Sequence, residues 1–372
     1  MEHRKLLADS VADFVERGTD LARVRRLRGT SEEHDRAVWK QMADLGWLGI
    51  LVPERYGGLG LGLAEAGIVA KGLARALTPE PLTAAAVLAA TALAASENET
   101  LKAEQLRRLA AGERLPALAW QEQAGVLDPL AVETSATPFE GGYKLNGVKR
   151  FIAGAAQADD FVVSARARND IVLLWVPRDS AGARVALEPL ADGRSFGTLE
   201  LADVLAPKGC VLATGAAAAE ALARALDHGA VIAGAELLGV GERALEITLE
   251  YLRTRVQFGK PIGAFQALQH RAVDLHIHKE LASAVLEEGL AALDAGPGAP
   301  ERAAIASRVK ARCADAALRI TRESIQLHGA IGFTDEYDAG LYLKRALTLA
   351  AWLGHATWHR RRYARLAAGV AA

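Results

Sequence analysis

The chain has 372 residues, 51% hydrophobic and 24% charged, with 44 basic side chains set against 45 acidic ones. At roughly 150 residues per domain the length suggests two or three domains, and a formal charge of −1 argues against nucleic acid as the main partner, because phosphate binding needs a basic excess. Only two cysteines occur, Cys210 and Cys313, so no disulfide framework exists and a reducing cytosol fits.

The first residues, MEHRKLLADSVADF, carry charges every few positions and predict no signal peptide. To about Glu113 the chain reads as helix after helix, with apolar residues at helical spacing in Val38, Trp39, Met42 and Leu45. Pro and Gly punctuate this zone over Val52 to Gly60, and Thr78-Pro79-Glu80-Pro81 opens a further helix. The weakly polar tract from Leu82 to Ala95 is too short and Ala-rich to span a bilayer, so a cytoplasmic protein is expected.

From Arg114 the character changes. Short β-prone runs appear at Tyr143–Leu145, Phe161–Ser164 and Ile171–Val176. Gly141-Gly142 and Asn146-Gly147 read as tight turns, the second as a hairpin signal. From Ala216 the pattern is helical again. Helices are predicted over Ala216–Arg253, Phe265–Ala295, Pro300–His328 and Tyr337–Ala368, with a break at Gly259 to Gly263. The expected fold class is α+β: an α-helical domain over 1–113, a β-barrel or sandwich domain over 114–215, and a four-helix bundle over 216–372.

Three stretches then carry a resemblance. Leu45-Gly46-Trp47-Leu48-Gly49-Ile50 through Pro53-Glu54-Arg55-Tyr56-Gly57-Gly58-Leu59-Gly60, Arg253 through Ile262 leading to Phe265-Gln266, and Gln326-Leu327-His328-Gly329-Ala330-Ile331-Gly332 resemble the acyl-CoA dehydrogenase family, in the family's order and across essentially the whole chain. Within it the chain looks closest to small-subunit types, such as the pimeloyl-CoA dehydrogenase small subunit, which pair with a larger partner. The resemblance implies bound FAD, an acyl-CoA substrate, an electron-transferring flavoprotein as acceptor, and a homo- or heterotetramer with a related dehydrogenase subunit.

The resemblance also implies residues. Arg255, Gln257 and Phe258 would reach the FAD of a neighbouring subunit, the guanidinium fork suiting a pyrophosphate. Read as plain sequence, the same run is an Arg-rich helix end. Gln266 would meet the cofactor at the next helix start, and Gln326, Gly329 and Ala330 its adenine side, Ala330 standing where a second Gly is usual. In the middle domain only Glu122 and Asp128 keep the family's pattern, with Val126-Leu127 in place of Gly-Ser. Phe151 could cover one flavin face, but Ala153 has no hydroxyl for the flavin's reactive edge.

Acyl-CoA α,β-dehydrogenation takes an α-proton onto a carboxylate while the β-hydride goes to flavin. The family's two places for that base fall on Leu353, in Trp352-Leu353-Gly354-His355, and on Gly229, in His228-Gly229-Ala230; neither is a carboxylate. Glu236, seven residues after Gly229, is a weak substitute, and a pairing with Arg on a neighbouring helix is the preferred account of it. Three readings remain open: a subunit completing a partner's FAD site, a self-sufficient enzyme with an unusual base, and an inactive acyl-CoA-binding scaffold. The basic run Trp358-His359-Arg360-Arg361-Arg362 reads as a solvated helix face, and no metal-ligand spacing is present.

Overall fold

The computed structural model describes residues 2–18, 21–30 and 32–369. In chain order the helices are α1 (Glu2–Gly18), α2 (Leu21–Leu27), α3 (Arg36–Asp44), α4 (Leu63–Arg75), α5 (Ala90–Ala94) and α6 (Glu99–Ala110). Eight strands follow: β1 (Pro116–Ala119), β2 (Ser135–Phe139), β3 (Gly142–Ala153), β4 (Asp160–Ala167), β5 (Asp170–Pro177), β6 (Ala183–Pro189), β7 (Ser195–Pro207) and β8 (Val211–Thr214). The C-terminal part contains α7 (Gly215–Thr254), the two-residue strands β9 (Val256–Gln257) and β10 (Lys260–Pro261), then α8 (Gln266–Asp294), α9 (Ala299–His328), α10 (Ala339–Ala351) and α11 (Ala356–Ala367). The chain divides into two compact units, residues 27–66 with 79–229, and residues 1–26 with 67–78 and 230–372.

The first unit is built on the sheet, whose strands run in the order β6-β7-β3-β2-β4-β5-β8, with β1 parallel to β4. Phe161 and Val163 alternate with Val162 in β4, and Val172 and Leu174 with Leu173 in β5; all are buried, so both strands read as apolar runs rather than alternating ones. The β2–β3 hairpin turns at Glu140-Gly141, as Gly141-Gly142 suggested. Asn146-Gly147 is not a turn. It lies inside β3 at a bulge against β7, where Gly147 (φ +151°) lies against Thr134 and a Cβ would come within 2.6 Å of the Thr134 hydroxyl. The N-terminal helices of this unit are capped by side chains: Asp35 accepts from Ala37 N at 2.7 Å, and Asn98 from Leu101 N at 3.1 Å. Between them, the buried segment Thr83–Ala89 is wound as a π-helix that runs into α5.

The second unit is helical. α9 carries a stripe of small and branched residues, including Ala303, Ala306, Val309, Cys313, Ala317 and Ile320, all buried. It packs against α8, α10 and α11. Gly239 of α7 allows a close backbone approach to α4, because a Cβ there would lie 2.2 Å from Lys71 O. The helix expected over Tyr337–Ala368 is two helices, broken at Trp352 to His355. Leu353 and Gly354 take φ +58° and +105° there, and a Cβ on Gly354 would strike the Trp358 and His359 rings at 2.9 and 3.0 Å. Among the described residues no helix is long and apolar enough to cross a membrane.

Candidate cofactor site and the base positions

α7 ends on Arg255 N donating to Tyr251 O at 2.8 Å, and the chain reverses through β9 and β10 with Phe258 and Gly259 at φ +53° and +77°. Phe258 is 90% exposed, its ring meeting Phe265 edge-on at 6.1 Å. An aromatic side chain left in water by a strained turn calls for a partner surface. Arg255, Gln257 and Gln266 are exposed on the same segment. At the end of α9, Gln326, Gly329 and Ala330 are also exposed; Gly329 (φ +65°) has open space where a Cβ would stand. Among the described residues no hydrogen bond or ion pair engages the Arg255 guanidinium or the side-chain amides of Gln257, Gln266 and Gln326.

These segments converge. The His328 ring stacks 4.5 Å from Tyr251 of α7 and 4.5 Å from Tyr337, and its Nδ1 meets Ser324 O at 2.6 Å. Burial pushes the His328 imidazole below its ordinary pKa, against the backbone hydrogen bonds at Ser324 and Ile247. Five residues into α8, the Arg271 guanidinium binds Glu323 of α9 at 2.9 Å. The C-terminal ends of α7 and α9 and the N-terminal end of α8 therefore meet, bringing Arg255, Gln257, Phe258, Gln266, Gln326, Gly329 and Ala330 to one end of the helical unit. Phe151 and Ala153 belong to the sheet unit, where a bulge sets Phe151 at φ +57° with its ring 6.4 Å from Phe196.

In the sheet unit Glu122 is committed to structure. Its Oε1 lies 2.6 Å from Lys149 Nζ, and its carboxylate accepts from Glu133 N (2.7 Å) and Thr134 N (2.9 Å). Lys149 has no exposure and also donates to Ser164 Oγ at 3.0 Å and Trp120 O at 3.3 Å. Burial lowers the Lys149 pKa to about 8 against the pull of Glu122. Burial alone would raise Glu122, but the Lys149 ammonium and the Thr134 N–H outweigh it and hold the carboxyl below its usual range. Beside the pair is a cavity of about 240 Å³ lined by Gln121, Gln123, Asp128, Glu133 and Arg166.

Sequence models of the acyl-CoA dehydrogenase N-terminal, middle and C-terminal domains match residues 1–113, 117–204 and 219–367. The chain belongs to the acyl-CoA dehydrogenase family. It is 32% identical over 346 residues to the acyl-CoA dehydrogenase IpdE2 of Mycobacterium tuberculosis, covering 93% of this chain and 91% of that one. Among solved structures it is similar to the ChsE4–ChsE5 complex of Mycobacterium tuberculosis (TM-score 0.90, 26% identity, 100% and 99% of the two chains). A steroid ACAD, Tcur3481–Tcur3483, matches at TM-score 0.89 and 28% identity over 99% and 98%.

The family is one of FAD-dependent oxidoreductases, and the residues here suit that group. A guanidinium and three amides with no partner among the described residues, beside a Gly-bearing helix end and an exposed aromatic ring, have the chemistry to donate to a diphosphate and a nucleobase edge. The two positions that the sequence resemblance gave for a base can also be placed. Gly229 is buried within α7, and Leu353 is buried in the turn between α10 and α11. Glu236 lies 2.6 Å from the Arg345 guanidinium, the two side chains 13% and 10% exposed. Among the described residues no group of three or more His, Cys, Asp and Glu could hold a metal ion.

Two buried cations, Lys149 and Lys310, escape a sequence reading, and His359 enters it only within a basic run. His359 is buried, not part of a solvated face as its basic run suggested, while Arg360 pairs with Asp315 and Arg362 lies over the Trp358 ring at 5.6 Å. Lys310 left one signal, a cation falling on the buried stripe of α9.

Proposed function

We propose that this chain is a subunit of a heteromeric acyl-CoA dehydrogenase: it completes a partner's FAD site with Arg255, Gln257, Phe258, Gln266 and Gln326, with Gly329 and Ala330 on the adenine side, and the partner brings the base. One observation carries the reading. The donor set, with no partner among the described residues, is intact, while both base positions, Leu353 and Gly229, lack a carboxylate and Glu236 is held by Arg345. FAD supplies the two-electron acceptor, and an electron-transferring flavoprotein is the proposed onward acceptor. Phe151 is proposed as an apolar cover for a flavin ring, with Ala153 unable to add a hydroxyl contact. The likeness to the ChsE4–ChsE5 complex supports a heteromer, and the likeness to a steroid ACAD makes a bulky, ring-bearing acyl-CoA the first substrate class to try.

The test is co-expression with a related dehydrogenase chain that keeps a Glu at a base position. A complex that takes up FAD and dehydrogenates acyl-CoA, with neither chain active alone, is the expected result. No complex and an inactive mixture would refute the reading.

A further inference from the structure

Two buried polar side chains from different helices converge on the C-terminal end of α10 and the four-residue turn that follows it. Lys310, in the middle of α9, has no exposure, and its ammonium donates to Leu349 O at 2.9 Å, Ala350 O at 3.3 Å and Gly354 O at 3.1 Å. Three acceptors match its three protons. From α11, His359 Nε2 donates to Leu353 O at 3.0 Å, while His359 Nδ1 is buried with no partner among the described residues. That pairing sets the tautomer: the proton is on Nε2.

The turn they hold is strained. Leu353, 8% exposed, sits at φ +58°, where the Cβ of an L-residue crowds the following carbonyl. Ending α10 requires none of this, because a glycine at 353 would close the helix without crowding. Strain that the surroundings over-determine is a mark of a position whose side-chain direction matters. Here a buried cation, a buried imidazole and an irreplaceable Gly354 all fix one Cα–Cβ bond.

We propose that Lys310 and His359 are positioning residues that aim the side chain at position 353, and that this aim is kept in the present chain although Leu353 offers no base. The inference rests on the reading of Leu353 as the family's base position. A glutamate placed at 353 is then delivered in working orientation, and its competence depends on Lys310 and His359. Its carboxylate takes the α-proton of a bound acyl-CoA and, in heavy water, returns a deuteron.

The experiment uses the full chain, alone and in its complex, with two readouts. The first is deuterium wash-in at the acyl-CoA α-carbon from D2O, by mass spectrometry, over straight-chain, dicarboxylic and ring-bearing thioesters. Leu353→Glu is expected to raise wash-in at least tenfold over the parent chain; adding Lys310→Met or His359→Phe should cut that gain at least tenfold with acyl-CoA affinity within twofold, and Lys310→Arg should recover part of it. The second, on substrate-free protein, is amide exchange. Lys310→Met is expected to speed exchange over residues 349–355 at least tenfold while residues 316–324 of α9 stay unchanged. The proposal is overturned if Leu353→Glu gains nothing, if the double variants match it, or if exchange at the turn does not respond. Full wash-in by the parent chain alone would instead refute the subunit reading, and the exchange result would still judge the two positioning residues.

Discussion

The Glu236 carboxylate stands 2.6 Å from the Arg345 guanidinium, joining α7 to α10 across the helical unit. With both side chains about one-tenth exposed, the pair is a structural tie, and removing one partner leaves a poorly solvated charge. Glu236→Gln is expected to cost roughly 3 kcal/mol in urea unfolding. The activity of the assembled complex should stay within about threefold of the parent, since 1.4 kcal/mol is already a tenfold rate effect and no transition-state contact is lost. A complete loss of turnover with little change in stability would make Glu236 the base.

Stability should rise with pH in two separate windows. Burial pushes His359 down to about 3 from 6.5, so below pH 6.5 the unfolded chain binds a proton that the folded chain refuses. Stability is therefore lost as pH falls from about 6.5 towards 3, by up to roughly 5 kcal/mol from this group. Burial also lowers Lys310 to about 7 from 10.5, and here the unfolded chain keeps its proton between those values, so stability climbs from pH 7 towards 10.5. Urea midpoints at pH 4, 6.5 and 9 should show both slopes, with His359→Phe reducing the acid one and Lys310→Met the alkaline one, part of which stays because Lys149 is also lowered, to about 8.

Glu122 and Lys149 should behave as one unit. Either Glu122→Gln or Lys149→Met leaves its partner buried without its opposite charge and is expected to cost about 3–5 kcal/mol. The double variant should cost less than the sum by about 1 kcal/mol or more, the coupling expected of a contacting pair. A double-mutant cycle by chemical unfolding measures it; strict additivity would mean the pair is not formed.

Arg255→Ala tests the donor set. The side chain is exposed and engages no partner among the described residues, so the cofactor-free protein should unfold within about 0.5 kcal/mol of the parent. FAD affinity of the complex, read from the quenching of flavin fluorescence, should fall 10- to 100-fold, the worth of one charge-assisted contact of about 1.5–3 kcal/mol. Arg255→Lys should recover only part, because an ammonium lacks the planar fork.

Much of this architecture was legible beforehand because helical periodicity and Gly/Pro punctuation are local signals. The ends of α8 at Gln266 and Asp294 and of α9 at Ala299 and His328 lie beside Pro261, Gly296, Pro297 and Gly329. The break at Leu353 was hidden by an Ala/Leu/Trp pattern that continues the helical period, and its cause is tertiary: Lys310, 43 positions earlier, captures the carbonyls. Asn146-Gly147 misled for a similar reason, its flexibility serving a bulge against Thr134 rather than a hairpin. Motif residues such as Arg255 and Gln326 were readable individually, while their convergence depends on His328 stacking on Tyr251, which no local pattern encodes.

The most direct measurement is anaerobic titration of the purified chain, by itself and then joined to its partner, with ring-bearing and straight-chain acyl-CoA while the flavin band is followed. The account predicts no bleaching by the chain alone at any flavin occupancy, and bleaching once the partner's carboxylate is present. Stoichiometric bleaching by the chain alone would contradict it.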